Sequence, residues 1–341
     1  MRKYVILSVL LILLLSASGQ DLHFSQFYNT PLTTNPANTG FLPNSDYRIG
    51  AHYREQNSSL PSTYKTTSVY GDFQFLRNKF RSGWMGVGGV ILQDAAGGNT
   101  LVSNKFYSSI AYHQMLGEEG LLSLGFNLGF ANKRLNTETL RFGDQWNALS
   151  KDFNLPSGEN LTQLNPSFGY FDIQAGLNYA YFPTQNIYLH FGISLHHLNR
   201  PREQFFQNSS TVDTRIKPRS IFFADAMIKM NDQVILSPGV YYTRQAKSAE
   251  LVAGMHVNYN LSGDGDQQLI AGIYMRPGDA FIPSIGYQWR NFKFTFSYDA
   301  TTSGLRNFNT SRGATEFYLQ YDGLYTLMYA NKQSFCPSFK N

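Results

Sequence analysis

The chain has 341 residues, with 28 Lys and Arg against 23 Asp and Glu and a formal net charge of +5. A balance this even leaves no electrostatic footprint for nucleic acid, and one cysteine, Cys336, excludes an internal disulfide. Charged residues reach only 15% and aromatics 15%, with 27 Phe, 22 Tyr and 29 Gly, where an ordinary soluble domain carries about 25% charged residues.

The first residues read as a secretory signal peptide. Arg2 and Lys3 start it, Val5 to Leu15 is apolar, and Ala17-Ser18-Gly19 is a small-residue cleavage site. Cleavage after Gly19 predicts domain boundaries at 1–19 for the signal and a mature chain from Gln20, with 26 basic against 23 acidic residues, or +3. The apolar run is shorter than the ~20 residues of a membrane helix, although an uncleaved anchor is the other reading. No later stretch is long and apolar enough to span as a helix. A secreted chain is then soluble or a closed barrel, because only helices and closed barrels satisfy every backbone group in lipid. The aromatic-rich, charge-poor composition favours an all-β transmembrane antiparallel β-barrel.

Residues 20–44 contain Pro31, Pro36 and Pro43. A ladder strand of any length is excluded there, so the segment is expected to plug the lumen or lie on the periplasmic rim. From 45 to 324 the dominant pattern has period two, the signature of strands with two unlike faces. Phe292 to Asp299 alternates without a break, and Ile173, Leu177 and Tyr179 lie opposite Asp172, Gln174 and Asn178. Fourteen strands are predicted near 46–56, 63–75, 83–93, 101–113, 120–132, 169–182, 186–197, 219–230, 234–244, 250–260, 267–275, 280–289, 292–299 and 313–322. Most are about ten residues long, as a tilted membrane barrel requires. Connections alternate between tight turns, such as Arg290-Asn291, and longer loops near 133–168, 198–218 and 300–312. That is the expected contrast of periplasmic turns and outer loops, with both termini in the periplasm. Residues 325–341 are left as a periplasmic tail.

Motifs of chemistry are weak. Gly83-Trp84-Met85-Gly86-Val87-Gly88-Gly89 lacks the helix that a dinucleotide site needs and reads as a strand where glycine permits bending or close approach of a plug. His190, His196 and His197 have no Cys or carboxylate cluster nearby in sequence to complete a metal shell, and they read as lumen or rim residues. Ser262-Gly263-Asp264-Gly265-Asp266 lacks the spacing of a calcium loop and reads as a turn. No catalytic constellation appears in its required context. The expectation is a non-enzyme with no cofactor, no metal and no nucleic-acid partner.

Several segments resemble the PorP/SprF family of the type IX secretion system. Gln20-Asp21-Leu22-His23-Phe24-Ser25-Gln26-Phe27-Tyr28 runs on into Pro31 and then Asn35-Pro36-Ala37-Asn38-Thr39-Gly40. Arg141 to Trp146 follows inside the loop after the fifth strand, and Phe296-Ser297-Tyr298-Asp299 with Gly313 to Phe317 resembles the family's closing hairpin. Cys336-Pro337-Ser338-Phe339 is similar to its C-terminal finish. The motif residues are His23, Phe24, Ser25, Gln26, Asn35, Pro36, Ala37, Gly40, Cys336 and Pro337. The resemblance implies an outer-membrane protein of Bacteroidota that works with other type IX components and supports export or surface anchoring of a secreted adhesin or gliding-type protein. Outer-membrane lipid and the barrel-assembly machinery are further expected partners.

Wide aqueous lumens appear only at about 16–18 strands, so fourteen strands point to docking rather than a pore for protein. Phe142, Trp146 and Phe153 are the candidate partner-binding aromatics, because function concentrates on loops carried by a rigid scaffold. A loop folded into the lumen is their alternative. The alternative function is a channel or transporter for a small or hydrophobic solute, since fold does not decide function.

Overall fold

The computed structural model describes residues 23–43, 45–60, 63–77, 82–206, 213–263 and 265–325. The expected signal peptide, its cleavage site, Gln20 to Leu22, and Cys336 and Pro337 with nearly all of the tail lie outside these residues.

Fourteen antiparallel strands close into a barrel. They are β1 (Tyr47–Gln56), β2 (Tyr64–Phe75), β3 (Gly83–Ala96), β4 (Leu101–Leu116), β5 (Gly120–Leu135), β6 (Ser167–Thr184) and β7 (Ile187–His196). The circuit continues through β8 (Arg219–Lys229), β9 (Val234–Gln245), β10 (Ser248–Asn260), β11 (Gln267–Arg276), β12 (Ala280–Trp289), β13 (Phe292–Thr301) and β14 (Arg312–Gly323). Each strand pairs with its sequence neighbours, and β1 closes the ring on β14 from Tyr47–Gly323 to Gln56–Ala314. Closure leaves no unpaired edge, which is the condition for a sheet to stand in lipid.

The alternation read in the sequence is the wall of the barrel. In β6, Phe171, Ile173, Leu177 and Tyr179 are exposed on the outside, while Asp172, Gln174, Asn178 and Ala180 are buried inside. His190 and His196 both point inward from β7. Tyr112, Tyr179, Tyr259, Tyr287, Trp289 and Phe292 face outward near one rim, where amphipathic rings suit a membrane interface.

The strands β3 to β6 run longer than expected, β6 over 18 residues. Tight connections at 117–119, 185–186 and 290–291 share the rim from which β1 starts and at which β14 ends. The opposite rim carries 136–166, 197–218 and 302–311. In the two-residue turn, Arg290 has φ +53°, the left-handed value that the tightest hairpins demand.

Candidate functional site

The segment from His23 to Leu42 runs through the interior of the barrel. Proline-fixed backbone at Pro31 and Pro36 keeps it in single turns: a 3₁₀ turn at Phe27–Asn29, a helical turn at Pro31–Thr34 and a 3₁₀ turn at Pro36–Asn38. Asn35 caps the last turn by accepting the Ala37 N–H at 2.9 Å. The segment contacts the inner wall on several sides. This resolves the two positions expected for it in favour of the lumen.

Glycines make room for it. A Cβ on Gly86 would lie 2.0 Å from Thr39 O, one on Gly125 would lie 2.4 Å from Pro36 O, and one on Gly176 would lie 1.8 Å from Asn35 Oδ1. The glycine-rich run in β3 therefore serves close approach of the inner segment. No phosphate-binding turn forms there.

Polar wall residues bind the segment's backbone, whose unpaired groups would otherwise be costly. His113 Nε2 lies 2.8 Å from Thr39 O, and Trp84 Nε1–H donates to Gly40 O at 2.9 Å. The Gly40 N–H donates to Asp72 Oδ2 at 2.8 Å, and Asp72 also receives Arg48 through two contacts of 2.9 and 3.0 Å. Ser194 donates to Thr34 O at 2.7 Å, and Gln74 donates to Leu42 O at 2.7 Å. Asn35 Nδ2 donates to Asn178 Oδ1 at 2.6 Å, and Asn178 Nδ2 donates in turn to Asn38 Oδ1 at 2.6 Å.

The start of the segment is held by charge. Glu316 accepts the Ser25 N–H at 2.7 Å and the Gln26 N–H at 3.0 Å, and it pairs with Arg54 and with His52 at 3.2 Å. Ser25 Oγ donates to Asp299 at 2.7 Å and accepts from Arg54 at 2.8 Å and Arg276 at 2.7 Å. Arg54 and Arg276 both reach Asp299, at 3.2 and 3.3 Å. These charges are buried against opposite charges, Arg54 and Arg276 against Asp299 and Arg54 against Glu316, the arrangement that makes burial tolerable. Phe24 stacks on His52 at 4.2 Å between ring centroids. His23 Nε2 approaches Glu250 to 3.2 Å.

The structure thus brings together eight of the named motif residues: His23, Phe24, Ser25, Gln26, Asn35, Pro36, Ala37 and Gly40. It does not bring the loop aromatics to them. Trp146 and Phe153 face each other edge-on at 5.0 Å, 45% and 40% exposed, on a two-residue ladder that pairs Trp146 with Phe153 and Asn147 with Asp152. Phe142 is half-buried, its N–H donating to Gln145 Oε1 at 2.9 Å. The pair stands in solvent and is not folded into the lumen. Asp144, within this loop, accepts the Gly158 N–H at 2.7 Å and the Ser157 hydroxyl at 3.0 Å. The Gly158 bond holds its carboxyl below the usual carboxylate range.

Sequence reasoning missed Arg54, Asp72, Asn178, Arg276 and Asp299 as ligands of the segment. Their signal was present: each is a polar or charged side chain on the inward phase of an alternating strand. The three histidines part company, with His190 Nδ1 3.2 Å from Asp225, His196 Nε2 3.3 Å from Ser194 and His197 Nδ1 2.9 Å from Asp172. Among the described residues no group of three His, Cys, Asp or Glu is arranged to hold a metal.

Three solved barrels illustrate the shared fold. The toluene transporter TbuX of Ralstonia pickettii is 10% identical with a TM-score of 0.52, and the toluene transporter TodX of Pseudomonas putida is 10% identical with a TM-score of 0.51. In both comparisons 87% of this chain and 94% of the other are covered. A FadL homologue of Pseudomonas aeruginosa is 8% identical with a TM-score of 0.50, over 86% of this chain and 94% of the other. At such identity the likeness is one of fold. No curated protein sequence matches the chain. Residues 16–321 match the family described as type IX secretion system membrane protein PorP/SprF. That match spans most of the chain, from the N-terminal motif to the closing strand, and the chain belongs to the PorP/SprF family of type IX secretion system membrane proteins.

Proposed function

We propose that this protein is a non-enzymatic docking component of type IX secretion that supports export or surface anchoring of a secreted adhesin or gliding-type protein. The observation that carries the reading is the division of the barrel into a lumen occupied by the chain's own segment and an apolar loop rim. The lumen holds the chain's own segment, bonded to the wall along its length, so it offers no route for a polypeptide. At the loop rim, Trp146, Phe153, Leu155, Phe206 and Phe308 are exposed, and Leu149 is 98% exposed. Aromatic side chains in such positions are typical anchors for a protein partner. The barrel form and the family place the chain in the outer membrane. In this reading the rim of tight turns and both termini face the periplasm, toward other secretion components and the assembly machinery, and the loop rim faces the surface protein.

The test is gene deletion followed by quantitative mass spectrometry of the cell-surface and culture-medium proteomes. Loss of one surface protein, or its release into the medium, marks a dedicated export or anchoring partner. Joint loss of many secreted proteins marks a core component. No change in any exported protein sinks the reading and selects the second one, passage of a small or hydrophobic solute, which draws on the barrel form shared with the toluene transporters. In a strain carrying Trp146→Ala and Phe153→Ala, the affected surface protein is expected to fall at least tenfold at unchanged barrel level, since anchors of this kind contribute about 2 kcal/mol or more each.

A further inference from the structure

A cavity of about 280 Å³ lies between the inner segment and the wall of β7 to β11, with Arg48 of β1, Lys293 of β13 and Gln320 of β14 closing its other side. Its body is aromatic: Phe27, Tyr28, Phe41, Tyr188, Phe223 and Tyr274 line it. Tyr28 and Tyr274 stack at 5.1 Å and Phe41 stacks on His190 at 5.0 Å, so the lining is braced. An apolar cavity of about 150 Å³ admits benzene, and the larger space here suits a body of roughly ten heavy atoms on that scale.

The wall explains why the space is open. Pro238 in β9 has no N–H to donate, and the β8–β9 ladder lapses between Asp225–Gly239 and Ile228–Leu236. Gly239 adds no side chain on the inward phase, and the cavity reaches the wall at Met227, Pro238 and Gly239. A proline alone does not produce this. Pro283 causes the same lapse between β12 and β13, from Phe281–Ala300 to Ser284–Ser297, but there Ile282 and Asp299 are buried in packed surroundings.

Two polar positions on the lining lack a full set of partners. Lys293 Nζ donates to Asn29 Oδ1 at 3.0 Å and stands 6.0 Å from the Tyr28 ring centre; among the described residues no carboxylate lies within ion-pair distance of it, and Asp322 acts on it from farther away. Arg48, also on the lining, is already committed to Asp72. His190 is buried, and its Nε2 has no hydrogen-bond partner among the described residues. A neighbouring cavity of about 250 Å³ shares Met227, Ser237, His256, Lys293 and Gln320 with the first. It continues past Asn258, Gln268, Gln288 and Asp322, toward the rim of tight turns, and gives a polar way in.

We infer that this cavity is a binding site for a small carboxylate with an aromatic or short aliphatic body, its apolar part among the rings and its carboxylate on Lys293. An ammonium with spare N–H donors beside an apolar space selects an anion, because a charge-assisted bond there is stronger than a neutral one. The site is independent of the docking reading.

The test uses the full chain in lipid nanodiscs and isothermal titration with 3-phenylpropionate, 3-phenylpropan-1-ol and 3-phenylpropylamine. Saturable binding of the acid is expected, at least tenfold tighter than the alcohol, with no binding of the amine. Lys293→Gln is expected to remove the preference for acid over alcohol, and Met227→Trp to weaken both by filling the space. Heat-modified electrophoretic mobility checks that each variant is a folded barrel. Absence of saturable binding to the wild type, equal affinity for acid and alcohol, or an unchanged preference in folded Lys293→Gln would overturn the inference. Export measured in the Lys293→Gln strain keeps this outcome separate from the docking reading.

Discussion

Gly176 in β6 and Asn35 in the inner segment are packed so closely that a Cβ on the glycine would lie 1.8 Å from Asn35 Oδ1. Asn35 is also the residue whose amide bonds Asn178 and the carbonyls of Leu177 and Ile193. One absent side chain on the wall thus permits one asparagine to cap its own turn and join two strands. Gly176→Val is expected to unseat the segment without opening the barrel. Each lost buried bond costs about 1 kcal/mol, so the barrel's heat-modifiable unfolding midpoint should drop, and protease should reach the segment. A variant with wild-type midpoint and protection would show that the contact does not hold the segment.

Glu316 is the other fixed point, accepting two successive backbone N–H groups of the segment and facing Arg54 and His52. Glu316→Gln keeps the shape but removes the charge opposite Arg54. Breaking one partner of a buried pair costs about 3–5 kcal/mol. Urea unfolding in lipid vesicles should show a loss of that order, and Glu316→Asp should lose part of the bonds by its shorter reach. A loss below about 1 kcal/mol in Glu316→Gln would mean that Asp299 carries Arg54 and Ser25 alone.

The loop aromatics are expected to respond to pH through Asp144. Its carboxyl is held below the usual range, first by the Gly158 N–H. A lowered carboxylate contributes order that is present above its unfolded value, near pH 4, and that is lost as pH falls through the lower folded value. Trp146 fluorescence should therefore stay constant down to about pH 4 and change below it. Asp144→Asn should show the low-pH signal already at pH 7, and a transition that persists unaltered in this variant would assign it to another group.

Phe317 lies on the outer face of the closing strand, with its ring 5.0 Å from that of Phe296. Phe317→Asp puts a charge on the lipid face, which is costly at membrane depth, and in the strand that must join β1 to complete the ring. Outer-membrane levels of the protein are expected to fall several-fold by immunoblot of membrane fractions. Normal levels of folded, heat-modifiable barrel would remove any special role for this strand in assembly.

Strand identity and facing were set locally. Phe292 to Asp299 declares two faces because side chains alternate along any strand, and the tight turn at Arg290-Asn291 needs only its two residues. The prolines at 31 and 36 likewise excluded a ladder strand for the N-terminal segment without saying where it would go. Its place in the lumen came from tertiary structure alone, because Ser25 and Glu316 are 291 positions apart and no local pattern links a backbone N–H to a distant carboxylate. The same holds for Gly86, whose lack of a side chain is visible in the sequence, while the Thr39 carbonyl that needs the space is supplied by another part of the chain. Local sterics and periodicity write the wall. Which inward side chain meets which part of the segment is decided only when fourteen strands close and fix their distances.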